Sequence, residues 1–504
     1  NKFITFHAAY SYQVNNQNSY IALDREDPDG VSRQTADRET KGWQDYLTAR
    51  MRIAPAPKSH LLLSGYIYRY GFHTENDVRT KLPGEDDFTK YAYHSTEAWG
   101  NRQWNVLYKY EINANHYVYI KGKYLNYLNR NETEYIEKGK VRSGIKEYSA
   151  EGVYERNNLS VFAHRFDLTA GYKTVFRKYE LDRAFFISQN IHSVYGDLNA
   201  RLGNGLSMSA SLFAEYTRNA NEGVRHTYHH ILPVFSILYQ LPYQTNIRLS
   251  YSKKITRPAA DYLNRNPIVF NPLYVLVGNP GLLPQERYSY GIGVTQNRKG
   301  GQVLSLNMLH NRYTNLISET LTNDGERIVN SYENLGNAFR SGLSMGFYTK
   351  LFGGFTLNTN GGINYHYFSS ASGSVIVNEN KGFSCNANIN LGASLGKGFL
   401  VNLSGIYNSK DYSLAATSVM PPIFLLNVQT RLFRDKWKVE WNCFDLFATY
   451  SQTKQYIHAP GFSQTATTTN NMFNMELKMT YRFGKVFDDN FGVQGIRNDD
   501  IIMK

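Results

Sequence analysis

The chain of 504 residues lacks any long hydrophobic run. Its longest apolar stretch, Ile231 to Leu241, is interrupted by Pro233 and Ser236, so it cannot supply the roughly 20 apolar residues of a transmembrane helix. A mean hydropathy of −0.48 excludes a bundle of such helices. Cysteine is scarce: Cys385 and Cys443 are the only two, too few for a disulfide framework or a thiolate metal centre. Apolar periodicity of the helical kind is almost missing, although about a third of an ordinary soluble chain is helical. There is no nucleophile elbow, no phosphate-binding glycine loop and no zinc motif. Lys and Arg exceed Asp and Glu by 13, yet no basic helix or compact basic cluster collects them, so no nucleic-acid partner is expected.

What is present is alternation. From Met472 to Phe483 the apolar residues Phe473, Met475, Leu477, Met479, Tyr481 and Phe483 are separated by Asn474, Glu476, Lys478, Thr480 and Arg482. One face of such a strand meets an apolar medium and the other meets water. The polar face is too charged for a packed core. Leu206, Met208, Ala210, Leu212, Ala214 and Tyr216 repeat the pattern, as do Ile247, Leu249 and Tyr251, and Trp437, Val439, Trp441 and Cys443. One such strand fits a soluble antiparallel sheet equally well. The set, without helices, predicts an all-β fold: a transmembrane antiparallel up-and-down β-barrel, in which only alternate residues need to be greasy. Cys385 and Cys443 carry the parity of the apolar face and are expected to face lipid. The 40 tyrosines suit strands and also the membrane boundary. Tyr66, Tyr68 and Tyr70, Trp104, Tyr108 and Tyr110, and Tyr365 and Tyr367 are read as parts of aromatic girdles. Basic residues then belong to the lumen and to loops near anionic headgroups, with a slight lean toward anionic cargo.

Short connections rich in Gly, Pro, Asn and Asp alternate with long ones. The short set includes Asn113–Asn115, Gly203–Gly205, Arg298–Gly301 and Gly396–Gly398. Val14–Lys41, Thr74–Ser95, Asn129–Arg142, Pro258–Gln285, Ile317–Ser331 and Thr449–Thr467 are the long set. Short periplasmic turns and long outer loops are the outer-membrane arrangement. The pattern predicts about twenty strands, the first running outward and the last inward. Residues 1–484 form the barrel, and residues 485–504, with Asp488, Asp489, Asp499 and Asp500, form a periplasmic C-terminal tail.

One stretch is more specific. It runs Ser250-Tyr-Ser-Lys-Lys-Ile-Thr-Arg-Pro258, then Leu263-Asn264, Asn266-Pro267, Gly278-Asn279-Pro280, Leu283-Pro284 and Glu286. It resembles the TonB-dependent receptors of Bacteroidota type, outer-membrane barrels with a strand S-Y-S-[RK]-[RK]-I-x-R-P followed by a long loop and G-N-P-x-L-x-P-E. Gln285, inserted before Glu286, departs from that pattern. The ending Tyr481-Arg-Phe-Gly-Lys485 is similar to the family's last strand. The resemblance implies about twenty-two strands, so that an upstream plug domain and first hairpin precede Asn1. It implies import of a scarce or bulky ligand such as a siderophore, glycan or peptide, by energy-coupled plug movement. The implied partners are outer-membrane lipid and lipopolysaccharide, a TonB-type energy-transducing protein acting through the plug, and a surface lipoprotein. No cofactor and no enzymatic activity are expected. The alternatives are a passive outer-membrane channel and a secretion-associated barrel, with a barrel enzyme behind them.

The prolines Pro267, Pro272, Pro280 and Pro284 stiffen the long loop after Arg257, and Gly278 allows a tight turn. A stiff loop over a pore is a lid or a binding rim. Arg257, Asn264, Tyr274 and Asn279 are therefore the candidate ligand-binding residues. His226, His229 and His230 cluster but His229 and His230 should point to opposite faces, against a joint metal or haem site. Asp24, Glu26, Asp27 and Asp29 miss calcium-loop spacing because Pro28 falls on a ligand position.

Overall fold

The computed structural model describes residues 3–481 and Ile496, apart from 29, 135–137, 163, 182–184, 222–223, 260, 272–273, 324–327, 335, 371–378, 397, 434–435, 449 and 460–461. The expected tail, 485–504, therefore lies outside the described residues except for Ile496.

One antiparallel sheet of 24 hydrogen-bonded segments makes the wall. The first eleven staves are β1 (Ile4–Asp27), β2 (Gly30–Ala56), β3 (Ser59–Lys81), β4 (Thr89–Asn113), β5 (His116–Glu134), β6 (Lys138–Val161), β7 (His164–Leu181), β8 (Phe185–Gly203), β9 (Leu206–Asn221), β10 (Val224–Leu241) and β11 (Thr245–Thr256). After a long loop come β12 (Gln285–Arg298), β13 (Gln302–Thr314), β14 (Asn337–Lys350), β15 (Phe355–Ser369) and β16 (Glu379–Ser394). The last four staves are each broken in two: β17 (Leu400–Asn408, Asp411–Tyr412), β18 (Ala416–Val419, Ile423–Leu432), β19 (Trp437–Phe444, Tyr450–Ala459) and β20 (Phe462–Asn471, Asn474–Tyr481). Eight of the 24 segments are thus halves of four staves, and the wall among the described residues has twenty, as the alternation predicts.

The faces follow the sequence parity. On β9, Leu212 is 52% exposed, and on β20 Met475, Leu477 and Met479 are between 55% and 63% exposed, all outward. Register carries this face round the wall, for example Leu212 opposite Pro233 and Met208 opposite Ile237. Cys385 is exposed as expected. Cys443 is not: it is buried beside the break in β19, where the chain turns over Phe424 and the rings of Phe447 and Phe424 lie 5.0 Å apart. Trp104 faces outward at 49% exposure. Tyr66, Tyr68 and Tyr70 do not belong to a lipid girdle. They pair with Thr48, Tyr46 and Gln44, opposite in parity to the outward Leu47 and Ala49, and so line the lumen.

Four of the expected long loops are strand. β1 and β2 stay in register to Asp27 opposite Gly30, β3 and β4 to Thr80 opposite Thr89, β5 and β6 to Glu134 opposite Lys138, and the upper halves of β19 and β20 to Ala459 opposite Phe462. A strand of 24 residues such as β1 is about 80 Å long, against an apolar band of about 25 Å. Above that band both faces of a hairpin are wet, so the alternation that marks a strand disappears from the sequence.

The sheet closes where Ser19–Glu26 of β1 pair with Ser463–Asn470 of β20. Among the described residues, this closing ladder is confined to the outer half. Among the described residues, Ile4–Ser11 and the rest of lower β1 pair only with β2, and Asn474–Tyr481 pair only with lower β19. The breaks in β17 to β20 stand at one level, between Leu425–Phe444 below and Tyr450–Asn471 above. Pro421 and Pro422 cannot donate to a ladder there, and Asp445 takes a left-handed φ of 55°. The last four staves are interrupted at this level, and beyond it the outer half of β20 pairs with β1.

Leu212 sits at mid-height on the lipid face, whereas its neighbour Ser211 faces the lumen. Leu212→Arg should destabilise the protein by about 2–4 kcal/mol and Ser211→Arg by less than about 1 kcal/mol, measured by denaturant titration in lipid vesicles.

Candidate functional site: the outer mouth

Pro233 lies in β10, and the ladder between β10 and β11 ends beside it, at Val234 opposite Ser252. Beyond that point Lys253–Thr256 pair with Gln285–Tyr288 of β12, and the β11–β12 tip leans inward, carrying its loop with it. Within the loop, Ile268–Asn271 and Tyr274–Leu276 join Ile317–Asn323 and Ile328–Asn334, from the connection between β13 and β14, in a small four-stranded sheet. The two connections meet through parallel pairing of Tyr274–Leu276 with Ile328–Asn330.

This paired rim is packed inside the mouth. Tyr262, Leu263, Leu276, Leu282 and Tyr332 form one apolar cluster with Tyr179 of β7 and Phe185 and Ile187 of β8. The rings of Tyr262 and Tyr332 stack with centroids 3.7 Å apart. Burial, with Tyr262 beside it, raises the Tyr332 phenol above its ordinary value, so it stays neutral. Removing apolar area of this size from water contributes several kcal/mol, enough to hold the loops against the wall.

The sequence-predicted residues lie in this rim, and the structure brings three of them into its framework. Arg257 is 1% exposed; its guanidinium pairs with Glu215 and donates to Thr217 Oγ1 at 3.0 Å, both on β9. Asn264, 2% exposed, closes a turn: its Nδ2 donates to the Asn266 carbonyl and its Oδ1 accepts the Asn266 N–H, each at 3.1 Å. Asn279 donates from Nδ2 to the Tyr332 carbonyl at 3.0 Å and accepts the Gly281 N–H at 2.9 Å, tying one connection to the other. Gly278 is needed for close approach and not for a positive φ: a Cβ there would lie 2.5 Å from the Asn264 carbonyl oxygen. The backbone of Tyr274 pairs with Asn271 and Ile328.

Below the rim the lumen wall carries a belt of charges that pair with one another. Lys123 reaches Glu147 at 3.1 Å and Lys121 reaches Glu151 at 3.1 Å. Arg177 pairs with Glu147 and donates to Gln189 Oε1 at 2.8 Å, and Gln189 donates to Asn219 at 3.0 Å. Lys253 contacts Glu286 at 2.8 Å and His230 approaches the same oxygen at 3.5 Å. His229 instead packs on Tyr216 of the lipid face, so the histidines divide between faces as predicted. No group of three metal-ligating side chains occurs among the described residues. This belt escapes sequence reasoning because its side chains lie on eight different staves, and only register brings them together.

Comparison with known proteins follows from this geometry. The profile of the outer membrane protein beta-barrel family matches residues 100–481. The siderophore receptor PirA from Pseudomonas aeruginosa superimposes with a TM-score of 0.56 at 13% identity, over 90% of this chain and 80% of that one. The hemophore receptor HasR of Serratia marcescens, solved with its hemophore HasA and heme, gives 0.58 at 11% identity, over 90% and 80%. The FrpB iron transporter from Neisseria meningitidis gives 0.52 at 11%, over 90% and 81%. These likenesses are of fold. No curated protein sequence matches.

The rim should depend on its anchor to β9. Glu215→Ala leaves the buried Arg257 without its carboxylate, a change worth about 3–5 kcal/mol when a buried pair is broken. Trypsin cleavage after the exposed Arg265 should accelerate by about tenfold or more as the loop opens, read by mass spectrometry of the fragments.

Proposed function

Because the chain belongs to the outer membrane protein beta-barrel family, we propose that it is the barrel of a receptor that imports a scarce or bulky ligand by energy-coupled movement of a plug. It is an outer-membrane β-barrel protein, and its fold is that of receptors such as PirA and HasR. The observation that carries the transport reading is the mouth itself: a framework of two interlocked connections packed inside a wide barrel. Twenty staves enclose far more space than side chains fill, and a structured rim at the entrance of such a lumen suits capture of a specific ligand. Arg257, Asn264 and Asn279 act in this reading by holding the rim in shape, with Tyr274 on its inner strand.

Among the described residues the ladder between β1 and β20 covers only their outer halves, which supports a reading with a plug and a hairpin ahead of β1, because strand edges without a ladder cost several kcal/mol per backbone group in lipid. A hairpin between them would pair both edges, and a plug would occupy the lumen below the rim. The plug would engage a TonB-type energy-transducing protein, lipopolysaccharide would surround the outer hairpins, and a surface lipoprotein would cap the mouth. The cargo class in this reading is a siderophore, a glycan or a peptide. No enzymatic step is assigned.

Intact mass and N-terminal sequencing of the protein from its native outer membrane test this directly. A mass well above 57.9 kDa, with a plug-like segment ahead of β1, is the expected result. A mature terminus at Asn1, together with a large steady single-channel conductance, would overturn it in favour of a passive channel.

A further inference from the structure

A row of aromatic rings runs up the inner wall of β2 to β5. The centroids of Tyr46 and Tyr68 are 6.1 Å apart, Tyr68 and Trp99 5.0 Å, Trp99 and Tyr70 4.0 Å, and Tyr70 and Phe72 4.3 Å. Trp99 continues to Tyr127 at 5.9 Å. From Tyr68 to Phe72 alone the row rises about 13 Å along β3. Phe72 lies across Gly42, where a Cβ would stand 2.2 Å from the ring. The missing side chain lets the ring lie against the wall.

The side chains between the rings are hydrogen-bonding groups, neutral apart from Glu97, which stands opposite Phe72. Tyr68 donates to Gln44 Oε1 at 2.8 Å, and Asn101 Nδ2 donates to the Tyr66 hydroxyl at 3.2 Å. Two acceptors beside the row, Asn101 Oδ1 and Asn129 Oδ1, have no hydrogen-bond partner among the described residues. Buried acceptors of this kind ask for donors. An anion has none to give. Among the inner-face positions that register with the row, from Gln44 to Thr48, Tyr66 to Phe72, Glu97 to Gln103 and Leu125 to Asn129, none is basic. Arg69 and Arg102 stand on the outer face, and Arg69 is held by Asp45 at 3.0 Å.

We propose that this row is a binding track for a neutral oligosaccharide. A pyranose ring presents a face of C–H groups to an aromatic π-face, and its hydroxyls hydrogen-bond to the polar side chains between the rings, meeting the covered oxygens of Asn101 and Asn129 as those amides turn toward it. Successive sugars occupy successive rings, which suits movement along the wall as well as binding. The anionic cargo suggested by net charge is disfavoured along this row, because the inner-face positions in register with it carry no cation. The inference rests on the uptake reading, whose cargo class it narrows.

The test uses the full-length protein in detergent, titrated with neutral hexasaccharides of α-glucan, β-glucan, xylan and mannan and, separately, with a ferric catecholate. Trp99 is one of only five tryptophans, so its fluorescence reports occupancy, and calorimetry gives the affinity. At least one hexasaccharide should bind, Trp99→Ala should weaken it about tenfold or more, and Trp99→Phe, which keeps a ring, should recover most of the loss. If no hexasaccharide binds folded protein, or if Trp99→Ala binds as tightly as the parent, the track is wrong. Cell uptake separates the two readings. Energy-dependent import of the ferric catecholate without sugar binding would leave the receptor standing and remove the track. Sugar binding with uptake indifferent to the proton-motive force would leave the track standing and remove energy coupling.

Discussion

The requirement that every backbone N–H and C=O in a membrane find a partner governs this structure. Lipid offers none, and each orphan costs several kcal/mol. The chain meets the requirement by pairing each stave with its neighbours in sequence, which fixes an antiparallel wall and leaves side chains free to divide between lipid and water. The same requirement explains the positions where the wall departs from regularity. Pro233, Pro421 and Pro422 remove donors, and near each of them the ladder ends or the staves are interrupted.

Two of these departures shape the site. The ladder end beside Pro233 frees the upper part of β11 from β10, and that freedom turns the β11–β12 connection into the lumen. Once inside, its apolar residues find a surface on Tyr179, Phe185 and Ile187. Arg257 follows them, and Glu215 neutralises it at the wall. The rim is thus a consequence of one lost donor, one apolar cluster and one buried ion pair. The level break in β17 to β20 has the opposite effect. It sets the outer half of β20 on β1, while among the described residues the lower halves of β1 and β20 share no ladder.

Much of the wall is legible in the sequence because one of its two faces meets lipid. Leu206 to Tyr216 and Phe473 to Tyr481 alternate plainly, and the structure puts their apolar residues outward. The signal fails where that asymmetry is absent. The outer hairpins are wet on both faces, so Val14–Lys41 reads as loop although it is paired strand. Tyr66, Tyr68 and Tyr70 carry the apolar bulk of a lipid girdle but have the parity of the lumen, and only register with β2 decides between the two. In the rim, the residue types around Arg257 and Gly278 mark a constrained loop. That Arg257 and Asn264 are buried, and that Asn279 reaches a second connection, depends on contacts between segments far apart in the chain.

The central claim is that alternate residues of the staves face lipid and water. Spin labels placed singly along Leu206 to Tyr216 in lipid vesicles test it most directly. The account predicts collisions with oxygen that peak at positions 206, 208, 210, 212, 214 and 216, and collisions with a water-soluble nickel complex that peak at the positions between. Equal access of the nickel complex to both sets would contradict it.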